Sequence, residues 1–255
     1  MNQNKNTFTL SAYNEITENG KIILLPIDTL IIPKEATRIE FDESYAGFEN
    51  LKSIVVEEGN STYYVKNNCL INKNTKSLVI ATANGTIPCD GSIEKIAAHA
   101  FSMHEEISEI VVPEGVKIID ELAFCTTHPN KIVIPASVEK MFAASFWPYF
   151  KSIKEISIDN NNKHYYAQNG CVIERNTNSV IFFYGENPVI PEDASCVVID
   201  QFSILATGYE NITIPASVAV KVDVHIDLTN ILRVHKNSLA EKYCLEHNIK
   251  YSLVD

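Results

Sequence analysis

Apolar residues recur along this chain in a fixed frame around proline. The run IVVPEGVKIIDELAF is followed by KIVIPASVEKMFAASF. Apolar and other residues alternate before each proline, so Ile110 with Val112, and Ile132 with Ile134, predict short strands whose side chains turn inward. Pro113 and Pro135 end those strands, because proline lacks the amide donor that a ladder needs. Val116 and Val138 follow at +3, Ile119 and Met141 at +6, and Phe124 and Phe146 at +11. These positions return apolar groups to the interior as the chain turns back. A unit of this kind has one apolar face and cannot bury it alone. Stacking neighbours buries it, which predicts a solenoid whose coils touch mainly the next coil. Each buried phenylalanine contributes about 1.5–3 kcal/mol.

The frame recurs elsewhere. Ile87-Pro88 leads through Ile93 and Ile96 to Ala100-Phe101, with Gly91 and Ser92 as two extra residues. Ile190-Pro191 leads to Val197, Val198 and Phe202. Ile214-Pro215 leads to Val218, with Ile226 in place of phenylalanine. Ile32-Pro33 leads more loosely to Ile39, Tyr45 and Phe48. From Pro33 onward the proline spacings are 55, 25, 22, 56 and 24. The three short ones fall within the range of about 20–29 residues expected of leucine-rich repeats.

The two long spacings contain related segments, IVVEEGNSTYYVKNNCLINKNTKSLVI and ISIDNNNKHYYAQNGCVIERNTNSVIF. They match at an offset of 102, pairing Tyr63-Tyr64 with Tyr165-Tyr166, Asn67 with Asn169, Cys69 with Cys171 and Ile71 with Ile173. Asn74-Thr75 with Asn176-Thr177, and Ser77 with Ser179, extend the match. Each segment predicts a small meander. The tyrosine pair forms one strand, Asn67-Asn68 or Asn169-Gly170 turns, and Cys69–Ile71 or Cys171–Ile173 returns. Ser77–Ile80 or Ser179–Phe183 makes the third strand. Asn-Gly between apolar alternations is a strong hairpin signal.

On these residues the chain resembles the BspA-like leucine-rich repeat family, through the pattern I-P-x-x-V-x-x-I-x-x-x-A-F from about Leu30 onward. Both long units resemble that family's insert with a tyrosine pair and D-G-V-L-Y, although cysteine stands here where the family usually has valine. Leu232–Tyr251 resembles the segment that often closes such domains. The resemblance implies a leucine-rich repeat solenoid of the α/β class, strand-rich with short or irregular convex segments. It implies a right-handed, curved stack of coils with inserted β-meanders at about 57–86 and 159–189. One structural domain is expected, with a capping hairpin at 1–29, repeats over 30–231 and a C-terminal cap at 232–255.

The ends of a solenoid expose apolar faces that must be covered. Phe8, Leu10, Tyr13 and Ile16 before Asn19-Gly20, with Lys21–Leu25 after it, predict a hairpin over the first coil. Residues 1–6 are polar and predict a frayed end. At the other end Ser238 and Glu241 predict a capping box that opens a short helix to about His247. Leu239, Tyr243 and Cys244 are expected to face the last coil, and Ile249–Val254 to form a final strand.

Composition then narrows the function. Among 255 residues, 45% are hydrophobic and 21% charged, as in an ordinary globular chain. The net charge of −11 argues against nucleic acid, which needs a basic surface. No run approaches the ~20 apolar residues of a membrane span, so no membrane insertion is expected. No secretory signal is visible, since Pro26 stops the first apolar run, Ile22–Leu25. Either the chain is cytoplasmic or a leader precedes it; the family resemblance implies export or surface display. Cys69, Cys89, Cys125, Cys171, Cys196 and Cys244 sit singly at apolar positions. Free, mostly buried thiols are expected, which suits a reducing compartment.

Chemistry has few candidates. Cys125/His128 and Cys244/His247 are Cys-x-x-His pairs, but each lacks a second cysteine and they lie on different elements, so zinc is not expected. Cys125 with His128 as base lacks a third, orienting group. His99 and His104 flank Phe101 and read as surface. Glu57-Glu58 and Glu105-Glu106 read as solvated turns. Nine glycines leave little room for a phosphate loop. No catalytic residue, cofactor or metal is expected.

Surfaces remain. If Ile110 and Val112 point in, Val111 points out. The equivalent outward row is Val55, Val111, Val133, Ser157, Thr213 and Arg233, flanked by Ser53, Glu109, Lys131, Glu155 and Asn211. In a leucine-rich repeat such a row lines the concave sheet. Three neighbouring valines would make a modest apolar patch for a protein ligand, although β-branched residues also simply suit strands. The resemblance implies an adhesion-type role toward host or neighbouring-cell molecules. An alternative is a glycan platform built from Trp147, Tyr149, Tyr165, Tyr166 and Tyr184, near Phe150, Phe182 and Phe183. Those aromatics would otherwise pack the second meander against the solenoid.

Overall fold

The computed structural model describes residues 7–10, 13–18, 21–41, 48–200, 208–222, 228–229 and 231–254, with side chains from residue 27 except at 41. The strands β1 (Thr7–Leu10), β2 (Tyr13–Glu18) and β3 (Lys21–Pro26) open the chain. Next come β4 (Thr29–Ile32), β5 (Arg38–Phe41) and β6 (Ser53–Val56), then the first meander, β7 (Tyr63–Lys66), β8 (Cys69–Asn72) and β9 (Ser77–Ala81). The middle coils carry β10 (Lys95–Ile96), β11 (Glu109–Val111), β12 (Ile118–Ile119), β13 (Lys131–Ile134) and β14 (Glu155–Ile158). The second meander is β15 (Tyr165–Gln168), β16 (Cys171–Glu174) and β17 (Ser179–Phe183). The chain closes with β18 (Cys196–Ile199), β19 (Ile212–Ile214), β20 (Ala219–Val222), β21 (Leu232–Val234), the helix α1 (Leu239–Glu246) and β22 (Ser252–Leu253).

The strands stack on two sides. The front holds the parallel sets β4–β6, β11–β13–β14 and β19–β21–β22. The back holds the parallel sets β9–β10–β12 and β17–β18–β20. Each meander widens a back set with antiparallel strands, β7–β8 or β15–β16. Its third strand is therefore itself a coil strand, so the meanders are built into the stack. The offset of 102 extends to their irregularities: a bulge lies between Leu70 and Ile71 in one and between Val172 and Ile173 in the other.

The proline frame folds as its alternation predicts. Ile110, Val112, Ile132 and Ile134 are buried, as are Val116, Val138, Ile119, Met141, Phe124 and Phe146. Proline also starts a tight turn. The Pro33, Pro113, Pro191 and Pro215 carbonyls accept from the amides three residues on, at 3.0–3.4 Å. Phe101, Phe124 and Phe146 form a column through the coils, with ring centroids 5.1 and 5.6 Å apart and nearly parallel planes. Tyr45, Phe202 and Ile226 lie outside the described residues.

A buried asparagine locks each meander to the coil before it. Asn60 donates to the Pro33 and Ala36 carbonyls at 2.7 and 3.0 Å, and its Oδ1 accepts from the amides of Thr62 and Tyr63. Asn162 makes the same four bonds with Pro135, Val138, His164 and Tyr165. The Asn60 carbonyl accepts from Lys73 Nζ, and that of Asn162 from Arg175 Nε, each at 2.9 Å. Each side chain fills its full donor and acceptor capacity inside the protein.

The ends differ in detail from expectation. β2 and β3 form the antiparallel hairpin, while Asn19-Gly20 lie outside the described residues. β1 pairs instead in parallel with β5. Ser238 caps α1 by accepting from the Glu241 amide at 3.1 Å, but the Glu241 carboxylate reaches the Asn237 amide rather than the cap residue's own. Leu239 does not face the last coil; it is 50% exposed. Ala240 and Cys244, four residues apart on one side of the helix, are buried there in its place. The final strand contracts to Ser252–Leu253, paired with β21.

Candidate binding face

Strand alternation places the predicted outward row. On the front set β11–β13–β14, Glu109, Lys131 and Glu155 stand side by side, and Val111, Val133 and Ser157 form the next row. Val111 is 53% exposed and Val133 half-buried. Lys131 Nζ lies 3.8 Å from Glu109 Oε1 at an exposed site, worth at most about 1 kcal/mol. Val55 does not adjoin Val111. It belongs to β4–β6, where its neighbour is Ile31, which is also 53% exposed. The alternation of Thr29–Ile32 already implied Ile31, because an inward Ile32 sends it outward. Thr213 pairs with Arg233 and then Ser252 on the third front set, and Asn211 precedes it with a positive φ of 58°. The row is thus divided among three sheets.

The divisions have a local cause. In the other coils, the residues before the proline form a front strand. Before Pro88 and Pro191 they do not. There the meander's hairpin turn takes their amides: Thr82 and Thr86 donate to the Asn68 and Asn67 carbonyls at 3.0 and 3.1 Å. Tyr184 and Val189 donate likewise to Gly170 and Asn169, at 2.7 and 2.8 Å. Both turns have positive φ at both central residues, 50° and 59° at Asn67-Asn68 and 52° and 78° at Asn169-Gly170, the backbone that a two-residue hairpin favours. A Cβ on Gly170 would lie 2.8 Å from the Tyr184 carbonyl, so the close approach needs glycine.

The aromatic set is mostly packing. Tyr165 is buried and its hydroxyl accepts from the Met141 amide at 3.3 Å, which removes it from any exposed platform. Tyr166 donates to Asn178 Oδ1 at 2.9 Å, with Arg175 over its ring. Trp147 and Tyr184 pack half-buried against the core, while Phe150, Phe182 and Phe183 are wholly buried. Tyr149 stacks on His128, with centroids 3.6 Å apart.

The cysteines are free thiols. Burial pushes Cys69 and Cys171 up to about 12, and Cys125 and Cys244 up to about 11. These values oppose nucleophilic chemistry, which needs a thiolate. His128 faces Tyr149, and His104, expected at the surface, is buried with Nε2 3.1 Å from the Ala81 carbonyl. Among the described residues no three His, Cys, Asp or Glu gather as metal ligands, and no helix is long and apolar enough to cross a membrane.

Parallel strands stacked coil on coil, proline turns and a phenylalanine column define a leucine-rich repeat solenoid. Residues 84–194 match the model of the BspA type leucine-rich repeat region, in 6 copies. Two solved structures are similar. A leucine-rich repeat protein from Eubacterium ventriosum ATCC 27560 is 13% identical, with a TM-score of 0.49, over 86% of this chain and 56% of that one. The pneumococcal vaccine antigen PcpA is 14% identical, with a TM-score of 0.48, over 89% of this chain and 60% of that one. The chain spans less than two thirds of the length of either structure. No curated protein matches it.

Proposed function

We propose that the chain is a non-catalytic protein-binding scaffold whose ligand contacts the front sheets. The reading rests on the outward row. Val111 beside Val133, and Ile31 beside Val55, present branched apolar side chains to solvent in fixed register, with Ile31, Val55 and Val111 46–53% exposed. Single exposed apolar residues are ordinary, whereas aligned pairs on a rigid ladder make a small contact patch. Glu109, Lys131 and Glu155 supply a charged border to that patch. An adhesion-type role is the finer form of this reading.

The test is capture of partners by the native chain beside a Val111→Lys, Val133→Lys variant, from lysate of its own cells and from extracellular-matrix and glycan panels. A protein held by the native chain and released by the variant supports the front face. Equal retention by both chains, or capture of glycans alone, overturns it.

A further inference from the structure

The two places where the front ladder is interrupted are equivalent in the repeat, and both are grooves. One, of about 570 Å³, runs between residues 83–89 and β11. The other, of about 850 Å³, runs between residues 186–192 and β19. Each is floored by a sheet edge. Val112 donates to the Val133 carbonyl, and the Ser108 carbonyl accepts from Asn130, so the even-numbered residues of this strand face β13. The peptide groups of Glu109 and Val111 therefore point the other way, into the groove. Ile212 likewise donates to the Ile231 carbonyl, which turns the peptide groups of Thr213 into the second groove. Among the described residues none bonds to the outer side of β11 or β19. The segments that would have done so, before Pro88 and Pro191, are held by the meander turns.

Both grooves are acidic. Glu106 and Glu109 line the first, which has no lysine or arginine in its wall; Lys131 lies 3.8 Å from Glu109 on the neighbouring strand, and Glu106 has no such partner among the described residues. Glu186, Glu192 and Glu210 line the second, where the single Lys151 already donates to the Gly208 carbonyl. We propose that each groove takes an extended, basic peptide segment of the protein partner, which adds to the sheet as the missing front strand. Main-chain bonds to Val111 and Thr213 would hold it, alternate side chains would rest on the groove walls, and the glutamates would select positive charge. This deepens the scaffold reading and rests on it.

Proline at an edge position whose N–H faces outward leaves the ladder intact and removes only the outer donor. The probe is a fluorescein-labelled Lys-Val-Lys-Val-Lys-Val peptide, with a copy N-methylated on alternate amides and a Glu-Val-Glu-Val-Glu-Val copy as controls. Fluorescence polarisation should show the native chain binding the basic peptide and neither control. A Val111→Pro, Thr213→Pro variant should bind about tenfold more weakly or worse, as one lost hydrogen bond per edge implies. Amide exchange in the native chain requires no variant: the Val111 and Thr213 protons should gain protection when the basic peptide is added. No binding, equal binding of the N-methylated peptide, or unchanged exchange at both amides overturns the proposal. A captured partner that is lost on Val111→Lys, Val133→Lys but kept by the proline variant would overturn strand addition while the front-face reading stands.

Discussion

In the first meander Leu70, Ile80 and Tyr63 pack with Leu30, Ile32, Phe48, Leu51 and Ile54, while Cys69, Ile71 and Leu78 face the main interior. β8 is therefore buried on both sides and stands as a wall between two cores. In the second meander the equivalents Val172, Phe182 and Tyr165 join Cys171, Ile173 and Val180 in one continuous core. The backbone plan is shared, down to the bulge and the asparagine lock. The difference lies in side-chain volume. Phe182 stands where Ile80 does, and its ring meets Phe150 at 5.3 Å and Phe146 at 6.2 Å. Phe183 stands where Ala81 does and meets Tyr209 edge-on. Phe182 and Ile80 face the same side of their meanders, Phe182 against Phe150 and Phe146 and Ile80 in a core with the equivalent Phe48 and with Leu51, so the ring fills that side with more volume. The same meander backbone thus borders a separate small core in one copy and lies within a continuous core in the other.

Truncation at the equivalent positions 80 and 182 separates the two meanders most strongly. Phe182→Ala should cost about 3–5 kcal/mol and shift the main unfolding transition in denaturant. Ile80→Ala should cost about 2–5 kcal/mol, confined to the small core. Amide exchange would then quicken in β4 and β6 and stay slow in β13 and β14. Uniform quickening across both sets would show that β8 is no wall.

The asparagines come next. Asn60→Ala and Asn162→Ala each strand two carbonyls and two amides, and each should cost about 3 kcal/mol. Asn162→Asp keeps the acceptors and loses the donors, so a loss as large as that of alanine would mean that the Pro135 and Val138 bonds carry the lock. Leu70→Val imitates the second meander at its middle strand and should cost about 1 kcal/mol, one buried methylene. Equilibrium unfolding of the pair Leu70→Val and Val172→Leu measures whether the two sites tolerate volume alike.

The smallest effect is expected at the repeat-equivalent free thiols Cys69 and Cys171. Cys69 and Cys171 are raised from the ordinary 9.0 to about 12, so the fold favours the neutral thiol. That contribution is complete below pH 9 and is lost as pH rises from 9 toward 12. At pH 8 a thiol reagent should label exposed Cys89 first and leave Cys69 and Cys171 until the chain unfolds. Early labelling of Cys69 alone would show that the wall strand opens independently of the second meander.

Much of the scaffold was legible because its signals are local. Alternation before a proline fixes which side chains enter, and the residues at +3, +6 and +11 are buried in the clearest coils. The 102-residue offset was equally plain, yet Asn60 and Asn162 were missed. In runs such as EEGNST and DNNNKH an asparagine looks like loop polarity, and only its constant position three residues before the tyrosine pair distinguished it. The breaks in the front row were not legible, because they depend on where a hairpin turn lands in space. Ile87 and Ile190 keep the pattern of a strand residue, but the turn carbonyls capture the neighbouring amides first. Leu239 failed for a simpler reason: helical spacing permitted two faces, and the smaller Ala240 and Cys244 fit closer to the last coil.

The wall formed by β8 also sets how the chain would respond to tension. Pulled from its ends, a stack gives way where the least buried surface resists, and among the described residues the small core gathers far fewer buried side chains than the main one. It should yield first, releasing slack of roughly 3.3–3.6 Å per residue freed, while the fused core beyond the wall stays wound. A tethered chain of this design would lengthen in a short first step and hold, like a seat belt with one stitched fold.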